Sequence, residues 1–331
     1  YMLKLVPWFL RFIAASRPSK LRALEAQGAA LCARALDDTL ALLRETGLQD
    51  HISDEGCLSL YADEAEFKAD RDHIEILERF GFPHEVIGRQ AIKALEPELS
   101  DSIGLAVRFP QNRSMKDPYT LVLALAERFI ALGGRVEQGD VVGFTRSDAM
   151  RDVVLMGGRT IPADEVVICA GAFSARLAGM LGEPIPLETE RGYNTQIMAP
   201  GITMKHSIIW PAKAFMVTPT AGGIRVGGTV EMAGLDAAPD YRRAKVTVKR
   251  AKEALPNLRC EAFTEWMGHR PALPDTVPIL SASAKMKGLF YATGHGHLGL
   301  TYAATTARLM GELITGAKPS VDLHPYRVNR F

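Results

Sequence analysis

The order of helical and strand patterns changes twice along the 331-residue chain, and this order limits the fold most. Before residue 185, segments with helical periodicity alternate with short strands. Residues 185–271 are mostly strand patterns with one predicted helix at 241–255, and from residue 288 a strand again precedes a helix. Alternating strands and helices are typical of α/β domains, and runs of strands are typical of antiparallel sheets. We therefore predict a mixed α/β fold in which an antiparallel-sheet domain is inserted into a discontinuous α/β domain.

Glycine, proline and capping residues mark where the elements of the first region begin and end. Asp117 is placed to cap a helix whose first turn contains Pro118, and Gly133 and Gly134 follow its last turn. Residues 18–46 are predicted to form one long helix or two abutting ones. Further predicted helices cover 64–81, 88–97, 117–134 and 172–183. The predicted strands cover 56–63, 103–110 and 166–170, with extended chain at 135–146 and a hairpin at 151–165.

Charge, cysteine content and hydropathy exclude several classes of protein. The net charge of +1 gives no basis for nucleic-acid binding, and no apolar run approaches the roughly 20 residues that a membrane span needs. The four cysteines lie far apart without a CxxC pair, which argues against disulfides and metal sites and for a reducing, cytoplasmic setting. The apolar, basic residues 1–24 favour a helix packed on the protein body. The alternative is a peripheral contact with a partner or with the inner face of a membrane.

The last strand-to-helix connection has the pattern of a ligand site. Leu289–Thr293 is predicted to be a buried strand, a glycine- and histidine-rich loop follows, and a long helix begins near residue 299. The first N–H groups of such a helix are unpaired and bind an anion or a carbonyl oxygen. The loop lacks the lysine of a P-loop, and the chain ends too soon for the acidic residue that follows a dinucleotide-binding βαβ turn. The alternative is a structural glycine turn.

Four segments together resemble one family of flavoproteins. "GHRPALPDTVPIL" (268–280) and "LFYATGHGHLGLT" (289–301) resemble the C-terminal end of the D-amino-acid dehydrogenase, glycine oxidase and sarcosine oxidase superfamily, closest to the D-amino-acid dehydrogenases. "DPYTLVLALAERFIALGGRVEQGDVVGF" (117–144) and "VVICAGAFSARLAGMLGEPIPLETERGY" (166–193) resemble its adenine-side segment and its crossing into the substrate domain. The motif-level similarity covers about 117–331.

The resemblance implies a cofactor, FAD, held without a covalent link. In this family the loop at 295–301 would wrap the isoalloxazine ring, and the helix N-terminus would face its N1–C2=O edge, where a positive dipole favours the reduced anion. The backbone at Val141 would meet the adenine. The cofactor-binding residues implied by the resemblance are Val141, Ala170, Gly171, Gly294, His295, Gly296, His297, Leu298, Gly299, Leu300 and Thr301.

The resemblance also implies the substrate site and the reaction. Arg270 would bind the substrate carboxylate with its planar guanidinium; an ion pair with Glu265 or Asp275 is the alternative. His297 would lie near flavin and substrate, or be a structural imidazole. Tyr193 and Phe215 would form a pocket lid and wall, with core packing as the alternative.

The implied reaction is oxidative deamination of a D-amino acid, with hydride transfer from the α-carbon to the flavin and hydrolysis of the imine to a keto acid. A secondary amine of the sarcosine or hydroxyproline type is the alternative substrate, and a flavin-free, non-catalytic relative is the alternative from another class. The resemblance leaves the electron acceptor open between a quinone and oxygen.

One departure from the family pattern affects the expected fold. Family members begin with a strand, a GxGxxG turn and a helix, and no GxGxxG opens a βαβ unit in this sequence. We therefore expect an incomplete Rossmann-like FAD-binding domain, formed by 1–50, 111–185 and 276–331, with an exposed edge in its sheet and weak or no FAD binding. The substrate-binding domain is expected at 51–110 and 186–275.

Overall fold

The computed structural model describes residues 1–145 and 151–331, and these residues form helices and several sheets. The helices are α1 Met2–Ala15, α2 Pro18–Thr46, α3 Glu64–Ala69, α4 Arg71–Arg79, α5 Arg89–Leu95, α6 Pro118–Ala131, α7 Ser174–Met180, α8 Arg242–Ala254 and α9 Gly299–Ile314. The strands are β1 Ile52–Ser53, β2 Cys57–Tyr61, β3 Glu85–Gly88, β4 Leu105–Phe109, β5 Ser114–Met115, β6 Val141–Phe144, β7 Arg151–Leu155, β8 Thr160–Ala163, β9 Val166–Ile168, β10 Glu188–Ile197, β11 Ser207–Trp210, β12 Phe215–Thr220, β13 Gly223–Gly227, β14 Phe263–Ala272, β15 Ile279–Ala282 and β16 Leu289–Thr293.

An eight-stranded sheet in the order β14-β10-β13-β12-β11-β2-β4-β3 is the largest layer that the structure describes. Its neighbouring strands are antiparallel except for the parallel pair β11 and β2. One face packs against α8, where Val217 and Val226 of the sheet meet Ala251 and Ala254 of the helix in one buried cluster. Strands from residues 57–109 and 188–272 therefore share one sheet. The division into two domains stays a prediction.

A smaller sheet places the C-terminal strand–loop–helix. Its order is β15-β16-β9, with β16 parallel to β9 and antiparallel to β15. The long helices α2 and α9 cover this sheet, and Leu31 and Leu309 are fully buried between them. Strand β9 lies at the edge of the sheet in the part of the chain that the structure describes.

The mixed α/β fold predicted from the sequence is confirmed, with differences in detail. Residues 18–46 form one helix, and the helix predicted at 64–81 is two helices that meet at Asp70. Asp70 leaves the helical conformation, with φ −97° and ψ 15°, and its carboxylate accepts a hydrogen bond from the Tyr61 hydroxyl. The predicted strand 166–170 stops at Ile168, and the extended segment predicted at 135–146 ends outside the described residues. Asp117 caps α6 through the Tyr119 N–H, as predicted.

None of the helices in the described ranges is both long and apolar enough to cross a membrane. Helix α1 nevertheless has two apolar sides. Leu5, Trp8 and Ala15 are buried against the protein, whereas Leu3 and Leu10 are 87% and 63% exposed.

Candidate active site

The carboxyl ends of β9 and β16 meet at one edge of the small sheet, because the two strands are parallel and adjacent. The Thr293 hydroxyl, at the end of β16, donates a hydrogen bond to the Gly171 carbonyl just beyond β9 (3.1 Å). The chain then turns at Gly294 and Gly296, whose φ angles of +81° and +53° favour glycine. A 3₁₀ turn over Gly296–Leu298 leads directly into α9.

A cavity of about 280 Å³ lies against this loop. One wall is loop backbone and imidazole, and the others come from α1, α2, α9, β10, the end of β14 and the segment 273–278 that follows it. The residues that line it are Trp8, Phe12, Leu24, Gly28, Glu190, Ala272, Leu273, Thr276, Val277, Pro278, Gly294, His295, Gly296, His297, Leu298 and Tyr302. Five of the predicted cofactor residues, Gly294 to Leu298, therefore lie together on one cavity wall.

Arg270 lies on β14 directly opposite Glu190 of β10, so both side chains are on the same face of the large sheet. Its guanidinium passes over the backbone of Gly192, where an added Cβ would overlap it. The Nη1 group donates a hydrogen bond to the Thr229 carbonyl (3.0 Å). The hydrogen bond to the Thr229 carbonyl thus fixes the guanidinium, and the lack of a side chain at Gly192 leaves room for it.

The remaining hydrogen-bonding capacity of Arg270 is available to an anion. Burial lowers the pKa of Arg270, and the nearby Glu190 charge opposes that shift. Glu265 and Asp275 were the alternative ion-pair partners expected for Arg270. Asp275 instead forms an ion pair with Arg330 (2.7 Å), and Glu265 lies opposite Thr195 on the neighbouring strand. Arg270 has no ion-pair partner among residues 1–145 and 151–331. A half-buried guanidinium in this state suits a ligand carboxylate.

His297 is hydrogen-bonded to Glu190, which also lines the cavity, with 2.8 Å between Nε2 and Oε2. The imidazole is 54% exposed and the carboxylate 19% exposed. The sequence predicts a site role for His297 but not for Glu190, and the structure brings the two side chains together.

His295, which also lines the cavity, is more buried than His297. Its Nε2 is 3.0 Å from the buried Thr306 hydroxyl of α9. Burial lowers the pKa of His295 to about 4. The imidazole is therefore neutral at physiological pH and ties the loop to the helix.

The low pKa of His295 predicts a contribution to the pH dependence of stability. Between about pH 6.5 and pH 4 the unfolded chain binds a proton at this residue and the folded chain does not, so the free energy of unfolding falls as the pH falls through that window. The loss reaches about 3 kcal/mol at most. Urea unfolding of His295→Gln should show a flatter pH dependence across this window than wild type. His324→Gln, at an exposed position, is the control; equal slopes in all three proteins would contradict the assignment.

Tyr193 and Phe215, predicted to form the lid and wall of the pocket, lie on the opposite face of the large sheet from Arg270. Side chains alternate between faces along a strand, so Tyr193 faces away from Glu190 and Gly192. The Tyr193 hydroxyl donates to Glu231 and accepts from the Asp240 N–H. Phe215 is 2% exposed in the core beneath α8. Neither residue lines the cavity in the described part of the chain.

The other predicted cofactor residues lie at varying distances from the cavity. Ala170 and Gly171 follow β9; the Gly171 carbonyl accepts the hydrogen bond from Thr293 at the end of β16, and Ala170 packs against the core cluster that contains Leu289 and Tyr291. Leu300 and Thr301 are exposed in the first turn of α9, next to the cavity-lining Leu298. Val141 begins β6 in the separate sheet β6-β7-β8 and does not line the cavity.

Sequence reasoning missed Glu190, Gly192 and the α1 residues Trp8 and Phe12. Glu190 and Gly192 stand in the quoted segment "ETERGY", but their role depends on the pairing register of β10 with β14. The Trp8 indole N–H reaches the Ala272 carbonyl at 3.4 Å, and no local pattern signals that contact.

The cavity wall fits the ring end of a flavin. An added Cβ at Gly296 would meet no atom within 4 Å, so the loop backbone is open to a flat group. Apolar side chains of α1, α2 and β14 face it, and ligand cavities in proteins are mostly apolar with a few polar groups. The cavity is close to the lower end of the size range of about 300–1,000 Å³ for such sites. Gly294–Leu298 would hold the ring.

Comparisons with known proteins show the family to which the chain belongs. The family described as "DAO: FAD dependent oxidoreductase" matches residues 10–313. A D-amino-acid oxidase of Bradyrhizobium diazoefficiens is 29% identical over 340 residues, covering 100% of this chain and 80% of the relative. A D-amino acid dehydrogenase of the same organism is 28% identical over 297 residues, covering 88% of this chain and 70% of the relative.

A solved structure shows the same fold. The glycine oxidase of Geobacillus kaustophilus superposes with a TM-score of 0.81, covering 91% of this chain and 82% of that chain at 21% identity. At this identity the likeness concerns the fold alone.

Proposed function

The chain belongs to the family of FAD-dependent oxidoreductases and is an oxidoreductase of amines or amino acids, and on this premise we propose that its substrate is a D-amino acid. The observation that carries the proposal is Arg270, a half-buried guanidinium without an ion-pair partner among the described residues, on the same sheet face as the cavity-lining Glu190. A substrate with a carboxylate next to its amine matches that group. The two curated relatives reported above act on D-amino acids by name.

The chain's residues supply binding and orientation in this proposal. Arg270 fixes the carboxylate, and the loop Gly294–Leu298 holds the isoalloxazine ring without a covalent link. FAD, when bound, supplies the acceptor for the hydride that leaves the α-carbon. Correct placement of the α-carbon against the ring accounts for much of the rate in such reactions.

A panel of amines tests the substrate class. The flavin-loaded protein is mixed without oxygen with D-alanine, L-alanine, glycine, sarcosine and hydroxyproline, and the loss of flavin absorbance is followed. We expect the fastest loss with the D-amino acid. Loss with the secondary amines only would replace the proposal by the secondary-amine alternative, and no loss with any compound would overturn it.

We further propose that the exposed side of α1 contacts an anionic membrane surface. Leu3, Leu10 and Ile13 are more than half exposed and recur at helical spacing, so they form one stripe. Exposed basic residues occur in and directly after α1, and no acidic residue occurs in the sequence before Glu25. These basic residues are Lys4 and Arg11 of α1, and Arg17, Lys20 and Arg22 at the start of α2. An apolar stripe with flanking positive charge is typical of helices that lie in a membrane interface.

Leu10→Glu is therefore expected to weaken binding to vesicles that contain an anionic phospholipid, because it places a negative charge at the membrane interface. Sedimentation with such vesicles at low salt measures the bound fraction. Val246→Glu, on the exposed side of α8, is the matched control. Equal binding of both variants and wild type, or no binding by wild type, would rule out this surface.

A further inference from the structure

We propose that His297, held by Glu190, is the base that removes a proton from the substrate ammonium group. This inference rests on the proposed function, because it assigns a role at the same site. Oxidation at the α-carbon requires the neutral amine, whose nitrogen lone pair forms the new C=N bond. A free amino acid carries an ammonium group at neutral pH. The site therefore needs an acceptor for one proton.

The hydrogen bond between His297 and Glu190 selects the tautomer of the imidazole. An ionised carboxylate only accepts hydrogen bonds, so at 2.8 Å the Nε2 atom must carry the proton and donate it to Oε2. Nδ1 then carries the free lone pair. Nδ1 has no hydrogen-bond partner within the described ranges, and the imidazole is half exposed beside the cavity. The structure thus leaves one nitrogen free to accept a proton.

Glu190 also stabilises the product of that proton transfer. The N–H bond of the substrate ammonium breaks, its proton goes to Nδ1, and the electron pair stays on the amine nitrogen. The imidazole becomes an imidazolium whose positive charge lies next to the carboxylate. A base oriented by a carboxylate on its other nitrogen is an efficient proton acceptor.

The position of Arg270 places the two ends of the substrate. Arg270 and Glu190 are opposite each other on neighbouring strands, and their charges interact without forming an ion pair in the described structure. An α-amino acid can therefore put its carboxylate on Arg270 and its ammonium group on the His297 side. Arg270 itself is not among the described residues that line the cavity. Besides His297 and Glu190, the titratable side chains that line it are His295, which bonds to Thr306, and Tyr302, which bonds to Cys32. Both of these are engaged within the protein.

His297→Gln tests this role directly, because it removes the proposed base. The side chain is half exposed, so the substitution should leave the fold intact. We expect kcat/KM for the best substrate of the amine panel to fall about 10²–10⁴-fold at neutral pH. The loss should shrink as the pH rises toward the pKa of the substrate amine, since the solution then supplies the neutral amine. Glu190→Gln should show the same pH-dependent loss with a smaller magnitude, and His324→Gln should match wild type.

Binding of propionate, a carboxylate without an amine, separates this role from a structural one. The affinity for propionate, read from the flavin spectrum, should be the same in His297→Gln and wild type. A pH-independent loss of kcat/KM, weakened propionate binding, or full activity of His297→Gln at neutral pH would each overturn the assignment. If wild type itself oxidises no amino acid, the proposed function fails, which is a different outcome.

Discussion

Arg270→Lys is expected to lower kcat/KM for the amino-acid substrate by roughly 30- to several-thousand-fold, with flavin binding unchanged. Lysine keeps the charge but cannot bind both carboxylate oxygens with a planar pair of N–H groups. Losing a buried contact of this kind costs on the order of 2–5 kcal/mol. Steady-state kinetics of the flavin-loaded protein measures the effect. An unchanged kcat/KM would remove Arg270 from the substrate site.

Gly192→Ala is expected to lower kcat/KM in the same way, although Arg270 itself is unchanged. A Cβ at this position would overlap the guanidinium, which must then leave its place over the backbone. Gly227→Ala, on the neighbouring strand β13, is the matched control, because its added Cβ would meet no atom closer than 3.6 Å. A lower kcat/KM in Gly192→Ala but not in Gly227→Ala would show that substrate use depends on the position of the Arg270 guanidinium. An unchanged kcat/KM in both variants would contradict this.

Gly296→Val is expected to weaken flavin binding by at least about tenfold, or 1.4 kcal/mol. The valine side chain would project into space that is open in the protein and that the ring would need. The measurement is a titration with FAD followed by flavin fluorescence.

Backbone strain has to be separated from this steric effect. Gly296 has φ +53°, so valine also destabilises the loop. Gly316→Val, at φ +72° beyond the other end of α9 and likewise in open space, introduces similar strain away from the cavity. If both variants bind FAD equally well, the glycine only shapes the turn.

Much of the fold followed from local patterns. Helix α6 was predictable because Asp117 precedes it and Gly133 and Gly134 follow it in the sequence. Strand β16 was predictable because it is short, apolar and followed by glycine. The break at Asp70 was not predictable, because the segment 64–81 has no glycine or proline between its two helices to mark it. The end of β9 at Ile168 likewise depends on its pairing with β16.

The candidate site was only partly predictable for the same reason. The loop 294–298 could be found because strand, glycines and helix follow one another in the sequence. The resemblance implies Tyr193 and Phe215 as pocket residues, and the alternation of side chains places them on the other sheet face. Glu190 could not be selected, because its importance comes from its pairing with Arg270 and its contact with His297.

A crystal structure of the protein with FAD and propionate tests most directly whether the loop Gly294–Leu298 holds the flavin ring while Arg270 binds the substrate carboxylate. We expect the isoalloxazine ring to lie against this loop and both propionate oxygens to lie within hydrogen-bonding distance of the Arg270 guanidinium. A ring bound elsewhere, or propionate that does not contact Arg270, would contradict this expectation.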